Sequence, residues 1–522
     1  MENKIGFKIQ KIFSSSIMII VAIITFLIGF FAIGKTVFFN LVINFSSELC
    51  FVKQDNIFLN VLFALLVLAV LYFLYKFVLP KINKKVLFIA MLIVTLSVSF
   101  WWVNYLRLEP ISDQYMVNFC AQKLLDGDLA SILDSGNYLS RNPHQLGFVL
   151  YLSAVFKIFN TRNLLFIQNL NVVFSAICVI SMYLIVKEIF EEDIIHKISI
   201  FFIGFFALYF MFFSPHVYGN LPGLAFGLIS LLFTLKYLNS GKYRNLVVVG
   251  ITITLSYLLK NNYEIFLIAI IIELLLKSLK DLEFKTALCV LGIIVTVFGV
   301  KAIMYTGFKA CTGYSLDNGV PVTSYIYMGI AEPDTLTPGW YTGDVEGIYN
   351  KSGYSKEKSK EMTKELMSDR LDYLVKNPSY TYGYFHSKLD TTWLNPTFQS
   401  IWCSTPGIVL EQDPDYNKYV APKQLLISIV CGKAFSLEER AMDVFQILTF
   451  IGASFALFIS FKEGSLNKML LPIVFLGGFA FHFIWETKAI YVLQYFYMLI
   501  PFAVYGIYKL FLSIENKVKS AK

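Results

Sequence analysis

Twelve apolar runs, each long enough to cross a bilayer, constrain this chain more than any other feature. They fall at about 16–34, 57–79, 86–106, 164–186, 198–214, 221–238, 246–260, 262–279, 286–307, 441–461, 469–485 and 489–513. A helix needs roughly 20 apolar residues to span about 30 Å of hydrocarbon. Within lipid each backbone polar group must be satisfied inside its own segment, so runs of this kind predict helices. Composition agrees. Of 522 residues, 57% are hydrophobic and 15% charged, whereas soluble domains carry about 25% charged residues. That is too little charge to cover a water-facing surface. A chain of several soluble domains is excluded, as are disorder, a coiled coil and a secreted disulfide scaffold.

The basic residues set the orientation. With the N-terminus inside, the cytoplasmic connections collect Lys76, Lys81, Lys84, Lys85, Lys187, Lys197, Lys236, Lys242, Arg244, Lys277, Lys280, Lys285, Lys462 and Lys468. The short outside connections keep Lys35, Lys53, Lys260 and Lys488. The net charge of +8 is therefore read as the positive-inside bias, and no nucleic-acid partner is expected. Lys4, Lys8 and Lys11 give the first run the look of a signal peptide. The run is too long for one and no small-residue cleavage site follows, so a retained span is expected. Residues 143–160 are apolar enough to span, but a span there would invert every later loop. They are expected to form a helix lying at the outer interface.

The predicted fold class is an all-α polytopic membrane protein, a bundle of about 12 transmembrane helices with interfacial helices and a mixed loop domain outside. Five stretches follow: 1–106, N-terminal spans; 107–163, an outside catalytic loop; 164–307, the core bundle; 308–440, a large outside loop domain; and 441–522, C-terminal spans. In the large loop a charged helix is predicted over 355–376, with Ser355 as N-cap and Pro378 past its end, and a solvated face is its plain reading. An aromatic segment, Tyr380 to His386, leads on to Trp393 and Trp402. The seven cysteines show no metal-binding spacing; Cys311 and Cys403 could pair in an exported loop, though nothing requires it.

The chemistry-bearing residues gather at the outer ends of the spans. Asp113 directly follows the third span, where partial desolvation makes a carboxylate a better base toward a hydroxyl. The plainer reading is that Asp113 N-caps a helix from Gln114 to Leu125. Asp126-Gly127-Asp128 and Asp413-Pro414-Asp415 match the acidic pairs of nucleotide-sugar enzymes, but no cytosolic α/β domain accompanies them. The first pair is read as a helix end and turn. Ser214 to Gly223, with His216 and Tyr218, joins the fifth and sixth spans; Lys260-Asn261-Asn262 makes a tight hairpin; His482, Trp485, Glu486 and Lys488 join the last two spans. Ionisable groups at membrane depth indicate function or mutual pairing. Glu486 and Lys488 could neutralise each other, or Lys488, Lys260 and Arg141 could form a basic pocket for a lipid phosphate. There is no P-loop, HExxH, G-x-S-x-G or CxxCH motif.

The ordered set is Asp113 in a short outside loop, Asn142-Pro143-His144-Gln145-Leu146-Gly147, Tyr218-Gly219-x-x-Pro222-Gly223, Lys260-Asn261-Asn262, Lys388 with Trp393-Leu394-Asn395-Pro396-Thr397, and Phe481 to Lys488. It resembles the GT-C class of integral-membrane glycosyltransferases, and within it the glycosyltransferase family 39 or protein-mannosyltransferase-like proteins. The resemblance covers most of the chain from about Trp101. It implies a polyprenyl-phosphate-sugar donor, transfer outside the cytoplasmic membrane with inversion, and an essential acidic residue that maps to Asp113. Some relatives carry a second acidic residue where this chain has Gln114, which weakens a metal assignment. No cofactor is expected, a divalent cation being left open without support from the sequence. Two spans precede the point where many relatives begin.

The expected function is that of an inverting glycosyltransferase acting on a cell-envelope polysaccharide, lipid or protein acceptor. Asp113 would be the catalytic base; Lys488, Lys260 and Arg141 would hold the lipid phosphate; His144, His216, Tyr218 and Glu486 would contact sugar or acceptor. A polysaccharide polymerase or ligase working on lipid-linked oligosaccharide, and a non-enzymatic flippase, are the alternatives. The polar residues gather at span ends rather than along a path, which disfavours the flippase.

Overall fold

The computed structural model describes residues 4–39, 50–110, 112–333, 337–404, 425, 428–429, 434–461 and 466–520. Asp413, Asp415, Cys431 and Lys462 lie outside these.

Helix α1 (Lys4–Gly34) leads into a hairpin of β1 (Lys35–Phe39) and β2 (Cys50–Gln54), followed by α2 (Ile57–Phe73) and α3 (Lys84–Leu106). Short helices α4 (Ser112–Asp126), α5 (Ala130–Leu133), α6 (Tyr138–Arg141) and α7 (Leu146–Ile158) come next. A run of long helices follows: α8 (Leu164–Ile189), α9 (Asp193–Phe213), α10 (Asn220–Ser240), α11 (Arg244–Leu259), α12 (Glu264–Asp281) and α13 (Phe284–Thr312). The large loop folds into α14 (Val322–Ile330), α15 (Asp344–Lys351), α16 (Lys356–Lys376) and α17 (Pro378–Trp393). The chain closes with α18 (Phe435–Ser460), α19 (Leu466–Ile484), the short α20 (Leu493–Tyr497) and α21 (Ile500–Ser520).

The protein is an all-α polytopic membrane protein apart, among the described residues, from one antiparallel hairpin, in which Lys35 pairs with Gln54 and Phe39 with Cys50. Period-3.6 patterning in the flanking spans gave no sign of that hairpin. Among the described residues, nine helices are long and apolar enough to cross a membrane. Two more apolar helices, Arg244–Leu259 and Met469–Ile484, are shorter. Helix α12 carries Glu264, Glu273, Lys277, Lys280 and Asp281 within its 18 residues. Each of the twelve apolar runs is thus helical.

Helix α7 has 13 residues, or about 20 Å at 1.5 Å per residue, too short to cross alone. It buries Leu146, Phe148, Val149, Leu152, Val155 and Phe156, packing on α4 and α11. In the large loop Ser355 caps α16, its hydroxyl accepting from Lys358 N–H at 3.4 Å. Pro378 opens the next helix instead of merely following the last one, so the aromatic segment from Tyr380 is helical. The charged helix is not solvated all round. Arg370 is buried, donating to the Ile330 carbonyl at 2.7 Å and to the Tyr380 hydroxyl at 2.8 Å. Asp126 and Asp128 close α4 as expected: Gly127 takes φ +76°, Asp126 pairs with Arg162 at 2.5 Å and Asp128 with Lys123 at 2.8 Å. Cys311 is exposed and Cys403 buried, and no disulfide joins them.

Apolar helices gain no hydrophobic free energy by leaving lipid for one another, so close backbone approach at small residues has to supply the attraction. Helix α18 sits between α1 and α21 on this basis. A Cβ at Gly506 would stand 2.1 Å from the Gly452 carbonyl oxygen, and one at Gly452 would stand 3.0 Å from the Ala503 carbonyl oxygen. Gly506→Ala should therefore lower the thermal midpoint of the detergent-purified protein, overpacking costing about 1–3 kcal/mol. Gly299→Ala, with open space around it, should leave the midpoint unchanged. Equal midpoints for both variants would show that this helix contact does not hold the bundle.

Candidate active site

Two backbone turns build the site, and glycines decide how closely they meet. The turn after α9 runs over Ser214 to Gly219, and that after α11 over Lys260 to Tyr263. A Cβ on Gly219 would lie 1.9 Å from the Leu259 carbonyl oxygen, and one on Gly147 2.0 Å from that of Leu258. The first turn and the start of α7 therefore press on the backbone just before Lys260. Buried amides hold the first turn. Asn171 donates to the carbonyls of Ser214 at 3.0 Å and His216 at 3.1 Å, and Gln168 to those of Leu108 at 2.8 Å and Pro215 at 3.2 Å. Gln114 accepts from Val217 N–H at 2.9 Å, which ties the start of α4 to the same turn. Among the described residues no three His, Cys, Asp or Glu side chains gather as metal ligands.

Asp113 lies within the first turn of α4 rather than before it, so it is not the N-cap. Ser112, just ahead, sits in the left-handed region at φ +52°, a conformation that costs about 1–3 kcal/mol in a non-glycine residue and clusters at functional positions. The exposed Asp113 lies within hydrogen-bonding reach of Tyr138, whose phenol also meets Tyr218. Burial, then Tyr218 and Asp113, push the Tyr138 hydroxyl well above its ordinary range, so it remains a donor.

Lys260 is the centre of this constellation. Its ammonium stands 3.9 Å from the centroid of the Tyr218 ring and 5.8 Å from that of Tyr491. Its charged neighbours are Asp113, Glu486 and Lys488. Burial, reinforced by Lys488 and opposed by Asp113 and Glu486, lowers the Lys260 pKa to about 7. The Lys488 ammonium lies 5.7 Å from the Trp340 ring and 5.9 Å from that of Trp402. Tyr491 donates to Glu486 at 3.3 Å.

The histidines are neutral at pH 7. Burial and then Lys260 lower His144 to about 4, and the same two causes lower His216 to about 3. His216 packs among Phe213, Tyr218 and Trp402, while His144 faces the Tyr325 ring at 6.2 Å. They offer hydrogen-bonding nitrogens, not charge. Arg141 approaches Glu346 at 3.8 Å. Lys388 is buried, donating to the carbonyls of Gly329 and, at 2.7 Å, Trp485. It fixes the peptide immediately before Glu486.

All seven residues named from the sequence beside the phosphate and sugar, together with Asp113, are thus linked through direct contact or shared electrostatic neighbours. Sequence reading missed Tyr138, Tyr325, Tyr341, Glu346 and Tyr491. Tyrosines abound at membrane boundaries, and the segments carrying these five are up to several hundred positions apart, so no local pattern marks them.

Residues 144–305 match the family model described as dolichyl-phosphate-mannose-protein mannosyltransferase. The matched stretch is less than a third of the chain, and over it the protein is similar to that family. The match contains His144, His216, Tyr218 and Lys260; Asp113, Arg141, Glu486 and Lys488 lie outside it. No curated protein and no solved structure matches the chain. The family is one of enzymes acting on a lipid-linked sugar donor and an acceptor.

Below about pH 7 Lys260 is charged, and above it the ammonium is progressively lost. Binding of a phosphodiester amphiphile, whose own charge is constant in this range, should therefore be tightest below pH 7 and weaken as pH rises through it. Lys260→Arg keeps its charge and should flatten the profile. Affinities measured on the full chain in nanodiscs check this; a wild-type profile already flat from acid to alkaline pH would rule the ammonium out.

Proposed function

We propose that the chain is an inverting glycosyltransferase that moves a monosaccharide from a polyprenyl-phosphate donor to a cell-envelope acceptor at the outer face of the cytoplasmic membrane. One observation carries this reading: Lys260 has Asp113 and Lys488 as joint electrostatic neighbours. Such a grouping supports a reading in which a base for a hydroxyl works beside cations for a phosphate. The match over residues 144–305 supports the reaction class, and the positive-inside pattern supports the side.

In this scheme the acceptor oxygen attacks the anomeric carbon from the face opposite the phosphate. Its proton passes to the Asp113 carboxylate as the new C–O bond forms. The bond from anomeric carbon to phosphate oxygen breaks, and its electron pair leaves with the polyprenyl phosphate. A single displacement inverts the anomeric centre. The leaving phosphate is already a stable anion, so no general acid is required. In this reading Lys488 and Lys260 hold that anion, and fixed cations in a partly dehydrated site stabilise departing charge. Neutral His144 and His216, with Tyr218 and Glu486, supply hydrogen bonds to sugar or acceptor.

The test incubates purified full-length protein with polyprenyl-phosphate sugars and extracted envelope fractions. Asp113→Asn should lower kcat by about 10²–10⁴-fold, the usual contribution of a general base, while donor binding persists. Lys488→Gln should chiefly raise the KM for donor. Turnover by Asp113→Asn within a few fold of wild type defeats the assignment, and a product of retained configuration defeats the single displacement.

A further inference from the structure

Arg141 and Glu346 reach the site from separate parts of the chain. Arg141 ends α6 and Glu346 lies in the first turn of α15. Their side chains meet at 3.8 Å, and each is about three-quarters covered, with 26% of the side chain exposed. The pair leaves two polar atoms unsatisfied: Nε of Arg141 and Oε2 of Glu346 are both buried and have no hydrogen-bond partner. One is a donor, the other an acceptor. Such orphans are costly, and in a functional region they call for a missing group.

The surroundings hold the pair in place. The Arg141 carbonyl accepts from Val320 N–H at 3.0 Å. A Cβ on Gly319 would lie 2.4 Å from Pro143 Cδ, so that loop packs tightly on the backbone after Arg141. The Tyr325 hydroxyl donates to the Asn142 side chain at 3.1 Å. Tyr341 lies within hydrogen-bonding reach of Glu346. Both tyrosines have Asp113, Arg141 and Glu346 as electrostatic neighbours, which puts the pair in the same site as the proposed base.

A bound phosphate fits poorly here, because Glu346 already offsets the guanidinium and would repel a second anion. A hydroxyl is the better match. It has one proton to donate and lone pairs to accept with, so it can pair with a carboxylate oxygen and with a guanidinium N–H alike. We propose that Arg141, Glu346 and Tyr341 form a subsite for ring hydroxyls of a sugar, fixing the orientation of a pyranose beside Asp113. The proposal rests on the glycosyl-transfer reading for its reaction, though not for its ligand.

The probe is a panel of methyl hexopyranosides and their monodeoxy analogues, bound to the full chain in nanodiscs and followed by saturation-transfer NMR. For the preferred epimer, loss of one hydroxyl should weaken binding by about tenfold or more, since it leaves buried polar groups unpaired. Glu346→Leu and Arg141→Lys should abolish that discrimination, Glu346→Gln should retain part of it, and Asp113→Asn should leave it intact. A wild-type protein that binds every deoxy analogue equally well overturns the subsite, whatever the variants do. So does a folded Glu346→Leu protein with the wild-type deoxy preference. In the transfer assay, a deoxy penalty on the KM for polyprenyl-phosphate sugar assigns the hydroxyls to the donor; a penalty on the KM for acceptor assigns them to the acceptor ring. Transfer without deoxy discrimination removes the subsite and leaves the transferase. Discrimination without transfer from any polyprenyl-phosphate sugar does the reverse.

Discussion

The site depends on the ammonium of Lys260. A lysine at the edge of an apolar bundle is costly, and only specific neighbours make its charge tolerable. Here they are the Tyr218 ring at 3.9 Å and the carboxylates of Asp113 and Glu486. Burial and Lys488 oppose them, and the balance holds the group near neutrality, with a pKa of about 7. A cation so poised has little competing solvation to surrender when an anion arrives. The backbone that carries it is held by close contact at Gly219 and Gly147.

This arrangement separates two tasks that charge alone would mix. Lys260 and Lys488 lie among aromatic rings on the side of the Ser214–Gly219 turn, with His144 and His216 neutral beside them. Arg141 is offset by Glu346. The cations on one side are thus lysine ammonium groups beside Asp113 and Glu486, while the Arg141 side offers directional hydrogen bonds.

Much of this was legible in the sequence, for identifiable reasons. Helices declared themselves because lipid forces long apolar runs, and the short α7 was recognised because a span there would break the charge pattern. Asp113 and Lys260 stood out as ionisable groups at the ends of such runs. The Glu346 contribution did not, because α15 is an ordinary amphipathic turn in a soluble-like loop and nothing local points it at Arg141. Gln114 looked like a lost acidic residue, yet its oxygen anchors Val217; a tertiary hydrogen bond of that kind has no sequence periodicity. The β-hairpin was missed because its strands are five residues each and are flanked by strong helical signals.

That hairpin gives the two leading spans a physical place in the architecture. Lys35 pairs with Asp390 at 3.1 Å, Lys53 with Glu439 at 3.1 Å, and Thr36 bonds Asp443 at 3.0 Å. Val37 N–H donates to the Leu394 carbonyl at 3.0 Å. The hairpin thus grips the turn after α17 at its start, and the rest of the turn is held from other directions. Gln446 donates to the carbonyls of Trp393 at 3.1 Å and Asn395 at 3.2 Å, Tyr209 to that of Pro396 at 2.8 Å, and Gln399 accepts from Ile490 N–H at 3.1 Å. The turn ends at Trp402, whose ring is one of the two walls beside the Lys488 ammonium. Pairs such as Lys35–Asp390 contribute modestly in forming, but breaking one strands a largely buried charge, at a cost of about 3–5 kcal/mol. The strength of the brace lies in that asymmetry: the leading spans resist displacement of the wall beside Lys488 without touching the reacting groups.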